Sequence, residues 1–161
     1  MQKVARTSTL VELAVPGAGF LRDALVITGF TAFTAVFAQI AVRLPFSPVP
    51  ITGQTLAVLL TGAALGSKRG ALSMLLYMLL GVVGTPVFAP SASALANETV
   101  HFILPWKGTA SAIWVLGSGG YIVGFVVAAY VVGYLAERGW DRKARVIGAM
   151  LLGNIIIYLF G

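Results

Sequence analysis

Residues 44–56 read LPFSPVPITGQTL and interrupt a chain that carries no charge from residue 24 to residue 67 except at Arg43. Three prolines, Pro45, Pro48 and Pro50, fall within this short stretch. Because proline lacks a backbone N–H and clashes with the preceding helical turn, they predict the end of one helix and an extended connection. Pro50 can also begin the next helix, where its missing donor does no harm. The stretch therefore predicts a helical hairpin, whose connection either is only a stiff loop or also lines a binding site.

The composition around this break is typical of a membrane protein. Of the 161 residues, 58% are hydrophobic and only 10% are charged, whereas about a quarter of a soluble domain is charged. A helix needs about 20 mostly apolar residues to cross a bilayer, and it satisfies its own backbone hydrogen bonds there. We therefore predict an all-α, polytopic membrane helix bundle in a single domain. Its five predicted spans are residues 24–43, 51–66, 70–87, 119–136 and 146–161.

The basic residues predict how this bundle is oriented. We expect residues 1–20 to form a cytoplasmic arm and residues 88–118 to form a long outer loop. Of the eleven Lys and Arg residues, only Arg43 and Lys107 then fall on the outer side, and the other nine fall on the inner side. This bias follows the positive-inside rule. It predicts a multi-pass cell-membrane protein with a cytoplasmic N-terminus, and it explains the net charge of +6 without a nucleic-acid partner.

Several kinds of chemistry have no basis in the sequence. There is no cysteine, and the single histidine, His101, cannot build a histidine metal cluster. The run LGSGGYIVG has Gly117 and Gly119 at the spacing of a dinucleotide fingerprint, but Ile122 stands where the third glycine should be. The predicted spans carry no charge except Arg43 at the end of the first one, and so lack the ionisable relay of an ion-coupled pump. We therefore predict no enzyme, no metal site and no cofactor.

Small residues recur at helical spacing in several predicted spans. Such faces allow close helix approach in lipid, where van der Waals contact drives association. They predict either packing inside the bundle or a docking face for another membrane subunit. The files are Gly62 and Gly66; Gly120, Gly124 and Ala128; and, on the first span, Ala24, Thr28, Ala32 and Ala35.

Four motifs resemble those of one known family. PVPITGQTL at residues 48–56 resembles the signature of the biotin transporter BioY family, the substrate-binding S components of energy-coupling-factor transporters. Three later runs are similar to its third, fourth and fifth helices, in family order: GALSMLLYMLLGVVGTPVFA (70–89), GGYIVGF (119–125) and GNIIIYLFG (153–161). The resemblance implies a six-helix bundle that binds biotin from outside, with the sixth helix expected beyond residue 161. It also implies partners, namely a transmembrane coupling subunit, docked on the Ala24–Ala35 face, and a pair of ATPase subunits.

The chemistry of biotin suggests which residues would bind it. Its ureido ring is neutral, its thioether ring is apolar and its tail ends in a carboxylate, so a pocket needs amide or hydroxyl partners, apolar walls and one cation. The hydrogen-bonding candidates are Thr52, Gln54, Asn154 and Tyr158. The wall candidates are Phe88, Trp114 and Tyr121, and the cation candidates are Arg43 and Lys107. Alternatively, the two tyrosines are interfacial belt residues and Asn154 ties two helices together.

Two other functions stay open at this point. The chain could be an S component for another neutral vitamin, which ligand competition would reveal. It could also be a structural membrane protein without a ligand, which a binding test would reveal.

Overall fold

The computed structural model describes residues 9–11, 19–47, 49–141 and 144–161. Most of the predicted arm (1–8 and 12–18) and Pro48 lie outside the described residues. The predicted helical bundle is confirmed, and one turn of π-helix, Ala136–Trp140, extends its fourth helix. In the described part of the chain the helices are α1 Phe20–Ala38, α2 Gln54–Leu65, α3 Ser67–Val83, α4 Gly119–Leu135 and α5 Arg145–Phe160.

A small sheet joins the connections at one end of the bundle. Strand β1 (Ala41–Val42) pairs antiparallel with β2 (Ile51–Thr52) on one side and with β3 (Val100–His101) on the other. The sequence analysis placed the first two of these strands inside helical spans. Helix α1 ends at Ala38 and not at residue 43, because the backbone groups that follow it bond across this sheet. The proline-rich connection is therefore held on both sides.

The bounds of α3 also differ from the predicted span 70–87. The helix begins at Ser67, directly after Gly66, and ends at Val83, directly before Gly84. Both glycines have positive φ, 82° and 115°, a backbone conformation that glycine adopts at no steric cost. The positions of the spans in a bilayer remain predictions.

Helix α4 is the centre of the bundle and packs against α2, α3 and α5, while α1 packs on α3 and α2. Small residues make these approaches possible. A Cβ at Gly62 would lie 2.6 Å from the carbonyl oxygen of Ala129, and one at Gly120 would collide with the carbonyl oxygen of Phe160. The small-residue files of α2 and α4 therefore serve packing inside the bundle.

The outside of the bundle is apolar. Among the described residues, two helical segments, Phe20–Ala38 and Gly119–Trp140, are long and apolar enough to cross a bilayer. Helix α5 is shorter, and it exposes a file of large apolar side chains: Ile147, Leu151, Ile155 and Leu159. An exposed apolar face of this extent is unusual on a protein surrounded by water and fits a lipid environment.

Polar groups tie the helices together at the end remote from the sheet. One carboxylate oxygen of Glu137 accepts hydrogen bonds from the backbone N and the Oγ of Ser67, both at 2.8 Å. The Nε of Arg69 lies 3.0 Å from a carboxylate oxygen of Asp23. Helices α1, α3 and α4 are thereby joined at this end, and the cavity described next lies at the other.

Candidate ligand-binding site

A cavity of about 330 Å³ opens beside the small sheet. Its lining comes from the connection and first turn of α2 (residues 44, 47, 49–52, 54 and 55), from the outer loop (residues 89–92, 109 and 116–118), and from the N-terminal part of α4 together with Tyr158 of α5. The volume is at the lower end of the roughly 300–1,000 Å³ of small-molecule pockets. None of the described residues that line the cavity is charged.

Gln54 is the most buried polar side chain of the lining, with 6% of its surface exposed. Its Oε1 accepts a hydrogen bond of 3.1 Å from the Thr52 hydroxyl, and its Nε2 donates to the hydroxyl of Tyr77. A side-chain amide has a second N–H and a second lone pair on its oxygen. Gln54 is thus held in one orientation and keeps hydrogen-bonding capacity for a ligand.

Tyr77 is a residue that the sequence analysis missed. It is fully buried, and its hydroxyl donates to the carbonyl oxygen of Val87 at 2.9 Å. Its ring meets the ring of Phe88 edge to face, with centroids 5.5 Å apart. A tyrosine in the middle of the uncharged predicted span 70–87 could have signalled this role, because a buried tyrosine hydroxyl usually finds a partner.

Two aromatic residues from neighbouring helices form another part of the lining. Tyr121 of α4 and Tyr158 of α5 meet edge to face, with ring centroids 5.9 Å apart and an interplanar angle of 89°. Both line the cavity. The structure therefore brings Thr52, Gln54, Tyr121 and Tyr158 together around one space.

Three other predicted binding residues lie elsewhere. Phe88 packs in the core with 1% of its surface exposed, and Trp114 is 80% exposed. The Nδ2 of Asn154 donates to the carbonyl oxygen of Met150, one turn earlier in its own helix. None of the three is among the residues that line the cavity.

The two outer cations are also outside the cavity lining. Arg43 donates from its guanidinium to the carbonyl oxygen of Ala96 at 2.9 Å. The Nζ of Lys107 donates to Glu98 at 2.8 Å and to the carbonyl oxygen of Ala94 at 3.3 Å. Both predicted carboxylate ligands are thus bonded to the outer loop.

The packing of α1 buries one part of the predicted docking face and leaves the other part exposed. Ala35 is buried in the core and Ala24 is half-buried, whereas Thr28 and Ala32 are exposed. Gly29 is exposed beside them, with open space around its Cα. Any partner on this helix would therefore contact Thr28, Gly29 and Ala32 and not Ala35.

These features define a class, a membrane helix bundle with an uncharged small-molecule cavity at one end. Within that class, the chain belongs to the BioY family, whose profile matches residues 5–161. The resemblance read from the four motifs is confirmed.

Relatives and a solved structure support this assignment. The chain is 33% identical over 144 residues to the biotin transporter BioY of Rhizobium etli, covering 80% of this chain and 68% of that protein. It is 37% identical over 132 residues to the biotin transporter BioY of Thermotoga maritima, covering 82% and 67%. Its fold is similar to that of the S-component for biotin from an ECF-type ABC transporter, with a TM-score of 0.66, 20% identity and coverage of 85% and 67%. The chain thus spans about two thirds of the length of these proteins. The relatives are transporters by name, in agreement with the prediction that the chain is not an enzyme.

Proposed function

We propose that this chain is the substrate-binding membrane subunit of a vitamin importer and that it captures biotin from outside the cell. The observation that carries the proposal is the uncharged cavity, around which Thr52, Gln54, Tyr121 and Tyr158 converge. The names of the family relatives, biotin transporters, supply the choice of vitamin.

The lining suits the ring system of biotin. The ureido group is neutral and both donates and accepts hydrogen bonds, as the amide of Gln54 and the hydroxyl of Thr52 do. Tyr121 and Tyr158 provide apolar surface for the thioether ring. The carboxylate belongs at the mouth of the cavity, because burying a charge without a partner is costly and no described lining residue is a cation.

The cavity is also held in shape before the ligand arrives. The sheet fixes both ends of the proline-rich connection, and Tyr77 fixes the side chain of Gln54. A site that is already ordered loses less conformational entropy on binding.

Transport would depend on an ATP-driven coupling module. The predicted spans carry no ionisable relay of their own, so the energy would come from ATPase subunits through a transmembrane coupling subunit. We infer that this subunit docks on the exposed small residues Thr28, Gly29 and Ala32. The N-terminus would be cytoplasmic, since Arg43 and Lys107 are the only basic residues assigned to the cavity end.

A competition experiment tests the proposal. Purified full-length chain in detergent is equilibrated with radiolabelled biotin, and unlabelled biotin or other neutral vitamins are added. We expect displacement by biotin alone. Displacement by a different vitamin at lower concentration would make the chain an S component for that vitamin. The absence of saturable binding to folded protein would instead favour a structural protein without a ligand.

A further inference from the structure

The outer loop contains a cluster of ionisable groups that the proposed binding site does not use. Glu98 is the only acidic residue between Asp23 and Glu137. Its Oε1 lies 2.8 Å from the Nζ of Lys107, and its Oε2 lies 2.8 Å from the Nδ1 of His101. The imidazole of His101 is buried, and the residue belongs to β3. Glu98 therefore connects Lys107 to the sheet.

The same cluster holds one wall of the cavity. We call residues 89–98 the wall segment; its first four residues line the cavity. Lys107 donates to the carbonyl oxygen of Ala94 in this segment. Arg43 donates from its side chain to the carbonyl oxygen of Ala96, and its backbone N bonds Thr99 just beyond the segment at 2.8 Å. Both outer cations thus donate hydrogen bonds to backbone carbonyl oxygens of the wall segment.

The remaining attachments of the wall segment are few. It forms no α-helix and no named strand. Pro90 and Leu95 are fully buried, the Thr109 hydroxyl donates to the carbonyl oxygen of Ala89 at 2.8 Å, and the other backbone bonds of the segment are turns within it. A segment without helix or strand, with several of its residues exposed, opens at a lower free-energy cost than the packed helices.

We propose that Glu98, Lys107 and Arg43 are positioning residues that form an ionic clamp, and that release of this clamp lets the wall segment move and admit ligand to the cavity. The entry step rests on the proposed function, whereas the opening of the wall segment does not. The clamp explains why the two outer cations are bonded to the loop and not directed into the cavity.

The clamp makes a kinetic prediction that a merely structural contact does not. If the wall segment is closed in both the free and the bound protein, weakening the clamp raises the association and dissociation rates together. The dissociation constant then changes little. An exposed ion pair with hydrogen bonds contributes modestly, so we expect each rate to rise by about three- to tenfold for Lys107→Met.

The clamp should also respond to acid. The hydrogen bond from Lys107, and then the one from His101, lowers the pKa of Glu98 below its ordinary value of 4.5. The carboxylate therefore keeps the clamp closed above that value and releases it only as the pH falls through the lowered pKa. Lys107 and His101, the titratable groups that face it, attract Glu98 more strongly when protonated, and Arg43 stays cationic nearby. Wild-type exchange of ligand should accelerate only in acid, whereas Glu98→Gln should be fast at every pH.

Hydrogen–deuterium exchange on the full chain without ligand tests the clamp independently of biotin. The variants are Lys107→Met, Glu98→Gln and the charge swap Glu98→Lys with Lys107→Glu. The matched control is Lys68→Met, which removes an exposed cation at the other end of the bundle. We expect amides of residues 94–101 to exchange about three- to tenfold faster in the single variants. The swap restores the ion pair between positions 98 and 107 but not the hydrogen bond to the carbonyl oxygen of Ala94, so it should recover part of the protection, and α4 should not change in any variant.

Each outcome decides the inference. Unchanged exchange at residues 94–101, or faster exchange that extends along α4, would overturn the clamp. Faster local exchange with unchanged rates of biotin association and dissociation would overturn the wall segment as the entry route. Faster local exchange in a chain that binds no biotin would support the clamp and refute the proposed function.

Discussion

Replacing Gln54 by leucine removes the central polar group of the cavity and keeps most of its bulk. In the structure the amide accepts from Thr52 and donates to Tyr77. The Tyr77 hydroxyl keeps its bond to the carbonyl oxygen of Val87 in the variant, and Thr52 is only half-buried. The folded protein therefore loses little, about 1 kcal/mol or less.

The loss of ligand affinity should be larger than this loss of stability. Gln54 is 6% exposed, so a ureido group bound beside it is withdrawn from water. Leaving a buried polar group unpaired costs about 1–3 kcal/mol, which corresponds to about five- to 150-fold in the dissociation constant. We expect an increase in this range for biotin.

The assay is equilibrium binding of radiolabelled biotin to wild-type and Gln54→Leu protein at matched expression and thermal stability. The control is Asn154→Leu, which removes an amide that bonds its own helix and does not line the cavity. It should bind within twofold of wild type. Equal dissociation constants for wild type and Gln54→Leu would show that Gln54 only begins a helix, and the reasoning about the cavity would be wrong.

Three further predictions concern packing, topology and partners. Gly62→Ala should lower the midpoint of thermal unfolding, because the new Cβ meets Ala129 and overpacking costs about 1–3 kcal/mol. The control Gly29→Ala, whose Cβ has open space, should leave the midpoint unchanged. Equal midpoints for the two variants would contradict the close approach of the helices. The chain has no native cysteine, so single cysteines can replace the exposed Lys68 and Ser93. An impermeant maleimide should label position 93 in intact cells and label position 68 only after the cells are permeabilised; labelling of both in intact cells would refute the topology. Ala32→Trp should reduce co-purification with the coupling subunit and spare biotin binding, whereas Leu151→Trp on α5 should leave both unchanged; undiminished co-purification of Ala32→Trp would move the interface away from α1.

The helical architecture and part of the site could be predicted from the sequence. The prolines of the connection placed the α1–α2 break, and the polar run after them placed Thr52 and Gln54 at the start of α2. Their position at the cavity follows from local chemistry: a polar first turn next to a rigid connection. The central place of α4 was not predicted, although its small residues allow neighbours to approach closely.

The rest of the site depends on contacts between distant parts of the chain. Arg43 bonds a carbonyl 53 residues away, and no spacing rule links such positions. Phe88 points into the core because Gly81 leaves room for its ring, and this makes it a partner of Tyr77 and not a wall of the cavity. The strand at residues 41–42 could not be predicted from the sequence, because two apolar residues fit a helix as well as a strand.

The most direct test of the central claim is the footprint of biotin on hydrogen–deuterium exchange. If biotin occupies this cavity, saturating ligand should slow exchange in the three lining segments, residues 51–56, 89–92 and 117–122, and leave the remote α2–α3 turn around Gly66 unchanged. Saturable binding of biotin with no protection of these segments, or with protection only elsewhere, would contradict the account.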